Sequence, residues 1–211
     1  MKFRKPSAKV MRRTLTGLAI CLALGGIGLV AYPFATNLWA ARIQSNLVKE
    51  FASPAAAQAF RSGNIAVGDP VTRIEIPKLD VDTMVVEGTS LSALRAGAGH
   101  YPETPLPGEM GNVAIAGHRT TYGRPFNRLD ELEIGDKIIL ETPIGTHTYE
   151  VLAAPSVVLP TDWDLVVNDY PPGGSFLTLT TCHPEGAATH RIVVRAELVD
   201  STDAVAKAVG S

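Results

Sequence analysis

The chain has 211 residues, 45% hydrophobic and 19% charged, which is enough for one globular domain of ordinary size plus an appended segment. A core of that size needs no disulfide or metal staple. The formal net charge of −2 excludes the basic surplus typical of a nucleic-acid binder.

The charge is unevenly spread. Lys2, Arg4, Lys5, Lys9, Arg12 and Arg13 form a basic head with no acid among them, and the remainder holds 13 basic against 21 acidic residues. An apolar stretch follows at once, with no charged residue from Thr14 to Ala41. About 20 apolar residues suffice to cross a bilayer as a helix. The basic flank predicts a cytoplasmic N-terminus, with residues 1–13 as a tail and 14–38 as a signal anchor. Trp39 falls at the far end, where interfacial aromatic residues lie. A cleaved signal peptide is the competing expectation, but its apolar region is normally only about 7–15 residues. The chain is therefore expected in the cell membrane as a single-pass type II protein, with its domain outside the cytoplasm. Cys21 lies inside the anchor and is read as a small apolar residue there.

Residues 39–65 are expected to form a stalk. It is rich in Ala, Ser and Gln, with Ile43, Leu47 and Phe51 recurring every four residues as in a helix. The texture changes at Ala66, and residues 66–200 form the expected domain. Short runs rich in Val, Ile and Thr are separated by Gly, Pro and Asp. The strand candidates are "VTRIEIP", "TMVVEG", "NVAIAGH", "DKIILET", "THTYEVLAAPSVV", "FLTLTTC" and "RIVVRAELV". "KIILETPIGTHTYEV" reads as a hairpin turning near Pro143 to Gly145. Helical signals are short, notably "SLSALRAG" and "PFNRLDEL". Seven or eight short strands with little helix predict an all-β fold, an antiparallel barrel or sandwich. Residues 201–211 are small and polar and are expected to fray as a flexible tail.

Cys182 is one of only two cysteines, and Cys21 cannot reach it. Exported domains commonly use cysteines in pairs. A lone thiol is an accident, an intermolecular link or a nucleophile. Strand alternation in "FLTLTTC" puts Phe176, Thr178, Thr180 and Cys182 on one face and Leu177, Leu179 and Thr181 on the other. Cys182 then ends a strand before a loop, rigid behind and accessible in front. A buried small hydrophobe is the plain alternative. A free thiol is only a few per cent thiolate at neutral pH, so a nucleophile needs a partner. His118 ends "NVAIAGH" in the same kind of position. His183 neighbours Cys182 and points to the opposite face. His147 sits in the hairpin, where a solvated cross-strand role is expected. Arg191 opens the last strand nine residues after Cys182. If these two strands are antiparallel neighbours, the pair sits side by side, and arginine's fixed charge can support a thiolate or oxyanion. Arg195 reads as an exposed strand charge.

"TLTTC" at residues 178–182, the arginine nine residues on and the histidine ending "AGH" resemble the sortases, membrane-anchored cysteine transpeptidases of Gram-positive bacteria. "GHYPETPLPGEMGNVAIAGHRTTYGRPF", residues 99–126, is similar to class E sortases of actinobacteria. The resemblance covers roughly residues 71–199 plus the anchor. It implies an eight-stranded sortase-type β-barrel with short helices. It implies that Cys182 attacks the carbonyl after threonine in a C-terminal sorting signal of a secreted protein. His118 would protonate the leaving amine. Arg191 would hold the signal's backbone and support the oxyanion, with Thr181 assisting. It also implies a Leu-Ala-X-Thr-Gly rather than Leu-Pro-X-Thr-Gly preference, with Tyr101 contributing to that choice. The resolving amine would belong to a lipid-linked peptidoglycan precursor.

The residues point to no cofactor and to no nucleic-acid partner. No compact acidic cluster compels a calcium site, and Cys182, His183 and His190 lack a standard zinc spacing. The alternatives are an anchored extracytoplasmic β-domain that binds cell-wall material without catalysis, or a pilus-type sortase. Papain-like enzymes are disfavoured because they place their cysteine at a helix start. L,D-transpeptidases are disfavoured because "TLTTCHPEG" lacks their Ser-x-Gly-Cys core.

Overall fold

The structure is a computed structural model and describes residues 8–162, 167–168 and 170–203. Among the described residues nine strands belong to one sheet: β1 Pro70–Ile76, β2 Val81–Glu87, β3 Ala98–His100, β4 Gly111–Gly117, β5 Lys137–Thr142, β6 Gly145–Val151, β7 Ser156–Val158, β8 Ser175–His183 and β9 His190–Asp203. Their order is β6-β5-β1-β2-β3-β4-β8-β9, and pairing of β6 with β9 closes eight of them into a barrel. Closure removes the exposed edges that an open sheet would leave.

The barrel is not wholly antiparallel. β2 pairs β3 in parallel, and β4 pairs β8 in parallel from Gly111 opposite Ser175 to Ala116 opposite Thr180. A parallel neighbour needs a long crossover. Here β5, β6 and β7 occupy the stretch between β4 and β8. The "THTYEVLAAPSVV" run is broken between Leu152 and Pro155 into β6 and β7, and Pro155 has no N–H to extend a ladder. The long β9 serves both pieces in turn. Its first half pairs β7, from Val158 opposite Arg191, and its second half pairs β6, ending at Gly145 opposite Asp203. Ser201–Asp203 thus continue β9 rather than starting a tail, because β6 offers them a partner strand; residues 204–211 lie outside the described residues.

Inward-facing Ile74, Ile76, Val113, Ile115, Leu177, Leu179, Ile192 and Val194 fill the barrel, and Tyr149 and Phe126 are buried with them. The hairpin turns at Pro143–Ile144 as expected. "SLSALRAG" forms α3, Leu91–Ala96, capped by Ser90 accepting from Ala93 N. "PFNRLDEL" forms only a 3-10 turn at Leu129–Glu131. His147 is buried at 5% exposure, with Nδ1 2.9 Å from Ser201 Oγ, so the solvated role expected for it gives way to packing under β9.

The N-terminal helix α1 runs unbroken from Ala8 to Phe51. Among the described residues it alone is long and apolar enough to cross a membrane, by length and composition. Its last turns lie on the barrel. Leu47, with Ile43 and Phe51, packs on Met84 and Val86 of β2 and Ala93 of α3. Gln44 accepts from Met84 N at 2.7 Å and donates to Ala96 O at 2.5 Å. The stretch expected to be a stalk is thus largely helix, and its four-residue apolar period is the docking stripe. α2, Pro54–Ser62, follows after Ser53, which caps it, and stops at Gly63 in the left-handed conformation.

Leu47 is 6% exposed, so truncating it empties this interface. We expect Leu47→Ala to lower stability by about 2–3 kcal/mol, measured from the denaturant midpoint. An unchanged midpoint would show that α1 contributes no packing to the barrel.

Candidate active site

Parallel pairing gives β4 and β8 a common C-terminal edge. The last paired residues are Ala116 and Thr180; two positions further on each strand come His118 and Cys182. Two positions is one full pleat period, so both residues fall on the outer face with Ala114, Ala116, Thr178 and Thr180. On the other side of β8, Cys182 lies directly opposite Arg191 in antiparallel register. The strand pairing expected from sequence is therefore present, and the three chemistry-bearing residues converge on one sheet end.

Cys182 is partly exposed and free. Arg191 donates from Nη1 to Ala188 O at 2.9 Å and His190 O at 2.8 Å, which fixes the guanidinium beside the loop that follows Cys182. His118 is half-buried between its strand and the loop after it. Its Nε2 is buried and has no hydrogen-bond partner among the described residues. Burial pushes its pKa below the usual 6.5, and the nearby Arg95 cation pushes in the same direction. The His118 ring lies 5.3 Å from that of Tyr122. Tyr122 in turn meets Trp39 of α1 edge-on at 6.1 Å, lies under Arg95 and approaches Tyr32 OH at 3.4 Å. Gly123 N donates to Asn37 Oδ1 at 3.0 Å, so α1 holds the loop that carries His118.

Tyr101 lies on the same face. Its N–H bonds Ala114 O at 3.0 Å, and its hydroxyl lies 3.2 Å from Thr180 Oγ1. Burial raises its pKa, while the Thr180 bond and the Arg191 charge act to lower it. The loop bearing Tyr101 is held from behind by buried His100, whose Nδ1 is 2.9 Å from Glu87 Oε2 and whose Nε2 is 3.0 Å from Pro105 O. Further along the face, Thr178 donates to Asn112 Oδ1 at 3.0 Å and meets Tyr170 OH. Arg195 lies on this face too, 5.3 Å from the Tyr170 ring centroid, rather than as a simple exposed strand charge.

Thr181 is placed differently from the expectation. It is 2% exposed and points to the other face, where Oγ1 donates to Gly117 O at 2.9 Å. Strand alternation puts Thr180 on the face of Cys182, while the Thr181 hydroxyl ties β8 to β4. Gly117 leaves no room for a side chain, since a Cβ there would sit 2.4 Å from the Phe126 ring. His183 is not isolated either: Arg119 Nη1 donates to its Nδ1 at 2.7 Å. Sequence reading missed Arg119, Thr180, Tyr122 and the contribution of α1. The signal for the first and third was the "GHRTTYG" run beside His118. Among the described residues no three His, Cys, Asp or Glu side chains gather closely enough to hold a metal ion.

The sortase-domain profile matches residues 74–199. The chain belongs to the sortase family. The sortase E of Streptomyces avermitilis superposes with a TM-score of 0.60 at 36% identity, over 67% of this chain and 95% of that one. A sortase D5 transpeptidase of Clostridium perfringens superposes with a TM-score of 0.65 at 28% identity, over 79% and 99%. Sortase SrtE1 of Streptomyces coelicolor is 31% identical over 214 residues, which is 93% of this chain and 60% of that protein. The chain spans about half to three-fifths of the length of the curated sortases it matches. The family barrel, with class E sortases among its similar relatives, is thus shared over the strands that build the site.

The depressed pKa of His118 couples its protonation to folding. The unfolded chain takes up a proton near pH 6.5, and the folded site resists doing so until lower pH. The stabilising contribution is complete above pH 6.5 and is lost as pH falls through the lower folded value. We expect the unfolding midpoint to fall with acidification in that window, and to fall less in His118→Gln. Parallel curves for the two proteins would contradict the burial of the ring.

Proposed function

We propose that this chain is a membrane-anchored cysteine transpeptidase that cleaves a C-terminal sorting signal after threonine and transfers the new carboxyl end to an amine. The observation that carries it is the convergence of Cys182, Arg191 and His118 on one end of the β4–β8–β9 sheet. Membership of the sortase family supports the same chemistry.

In the proposed reaction the Cys182 Sγ thiolate attacks the threonine carbonyl carbon. Negative charge gathers on the carbonyl oxygen, where Arg191 supplies a fixed cation. The C–N bond breaks, and protonated His118 gives its proton to the departing glycine amine, leaving a Cys182 thioester. A second amine attacks that thioester, the imidazole takes its proton, and Sγ leaves as thiolate. Splitting one acyl transfer into two lowers each barrier. Because the site holds His118 below its usual pKa, the imidazolium is a minority species at neutral pH, and slow turnover follows.

On this proposal Tyr101 and Thr180 shape the groove around the residues before threonine, consistent with a Leu-Ala-X-Thr-Gly preference. α1 provides the anchor: residues 14–38 span the bilayer, residues 1–13 stay cytoplasmic, and the barrel of residues 66–200 faces outward. The acceptor amine then belongs to a lipid-linked peptidoglycan precursor, which arrives at the same membrane face as the secreted substrate.

Incubation of the full chain in detergent micelles with a Leu-Ala-X-Thr-Gly peptide and a glycine-based amine tests this by mass spectrometry. We expect ligated product, its loss in Cys182→Ala, and a fall of at least about 100-fold in His118→Ala. The rate should follow a bell-shaped pH profile whose acid limb lies below pH 6.5. No cleavage and no thioester, with this peptide or its Leu-Pro counterpart, would overturn the proposal.

A further inference from the structure

Backbone pairing between β4 and β8 stops at Ala116 and Thr180, two residues short of the level of His118 and Cys182. Beyond it two side-chain bonds take over. Thr181 Oγ1 bonds Gly117 O at 2.9 Å, one residue before each of Cys182 and His118. Arg119 Nη1 bonds His183 Nδ1 at 2.7 Å, one residue after each. His118 and Cys182 are thus bracketed on both sides by cross-strand ties.

Arg119 is only 8% exposed. A buried guanidinium is costly unless its donors are used. Here Nη2 donates to Asp130 Oδ2 at 2.9 Å, while Nε makes no hydrogen bond among the described residues and lies 3.6 Å from Glu185 Oε1 as an ion pair. One planar fork therefore joins the end of β4, the end of β8 and the Leu129–Glu131 turn, a geometry that lysine's single ammonium does not reproduce. Arginine only donates, so His183 Nδ1 is an acceptor and its ring carries hydrogen on Nε2. That assigns His183 a use other than general base or metal ligand.

We propose that Arg119 and His183 are positioning residues that set the spacing and orientation of His118 relative to Cys182. The inference rests on the transpeptidase reading for its catalytic consequence, but the coupling of thiol to imidazole can be read without any substrate. Displacement of reacting groups by about 1 Å can cost on the order of 100-fold in rate.

The test uses the full chain in detergent micelles, with Arg119→Met, Arg119→Lys, His183→Ala and His183→Asn. Asn offers an acceptor close to the position of Nδ1, so it restores the bond that Ala removes. We expect Arg119→Met and His183→Ala to slow Cys182 acylation by about 30- to 100-fold, with KM changed less than about threefold. His183→Asn should recover to within about threefold of the unaltered protein, Arg119→Lys should not, and the Met/Ala double variant should be no worse than either single variant. Iodoacetamide gives the substrate-free readout. His118→Ala should change the alkylation rate of Cys182 in the unaltered protein, and that response should vanish in the Arg119→Met background.

Acylation within threefold of normal in Arg119→Met, equal impairment by His183→Asn and His183→Ala, or no effect of His118→Ala on alkylation would each overturn the inference. If Arg119→Met fails to fold, the His183 pair carries the test. Loss of alkylation coupling in a protein that cleaves no sorting peptide would sustain the positioning role while refuting the transpeptidase. Normal acylation in a folded Arg119→Met would refute the positioning role alone.

Discussion

The parallel pairing of β4 with β8 is the constraint on which the site depends. His118 directly follows the C-terminal end of β4, and Cys182 is the penultimate residue of β8. In an antiparallel pair those ends would be at opposite edges of the sheet, separated by a strand length. Only the parallel arrangement puts them on the same edge, and the register from Gly111–Ser175 to Ala116–Thr180 brings them level. The antiparallel β8–β9 pair then does the complementary task, since Arg191 begins a strand and must meet the end of its neighbour. One strand, β8, is therefore read in two directions, and its final residue pair is the point where both readings meet.

A barrel end assembled this way is held more by polar ties than by apolar packing. The barrel's lumen is filled by aliphatic side chains, while the outer face at the site carries Thr178, Thr180, Asn112, Tyr101 and Tyr170 in mutual hydrogen bonds. Hydrogen bonds are directional in a way that burial is not, and in a low-dielectric setting a satisfied network fixes orientation. The His100–Glu87 pair performs the same service beneath the Tyr101 loop, with Thr104 relaying between Tyr101 O and Ala114 N. Small Ala114 and Ala116 keep the floor low, so the surrounding hydroxyls and rings set the shape of the groove.

Much of this was legible in the sequence because short Val-, Ile- and Thr-rich runs stand between Gly, Pro and Asp. The runs that became β5 and β6 alternate cleanly, those of β2 and β4 stand out by their Val, Ile and Ala content between turn residues, and the nine-residue interval from Cys182 to Arg191 suits a strand–loop–strand return. β3 was not legible: Ala98–His100 is three residues with a central glycine and no alternation to detect. Parallel pairing of β4 and β8 also leaves no local mark, because its partners are more than 60 residues apart. The placement of Thr181 on the inner face has a simple reason. A one-residue step along a strand reverses the face, and a hydroxyl beside a catalytic residue in sequence is on its far side in space. Arg119 went unnoticed because an arginine after a strand usually reads as a solvated charge, whereas its burial comes from three elements closing over it.

The helix α1 adds a mechanical dimension that neither the barrel nor the motif suggests. A continuous helix of 44 residues extends about 66 Å, more than twice the hydrocarbon thickness of about 30 Å. On the proposed topology the surplus is not a free tether, since its last turns are docked on β2 and α3 through Leu47 and Gln44. The contacts of Tyr32, Asn37 and Trp39 with Tyr122 and Gly123 then reach the loop that bears His118. Tyr32 lies within the uncharged stretch, so on that proposed topology the loop touching it would sit at the membrane surface rather than at the outer pole of the barrel. On the proposed function, an active site so placed would open where a lipid-linked amine and a freshly exported polypeptide are both confined to the bilayer plane. Confinement raises their effective concentration in the way a tether does. On that proposal it would favour aminolysis of the thioester over attack by water, which is the selectivity a transpeptidase requires.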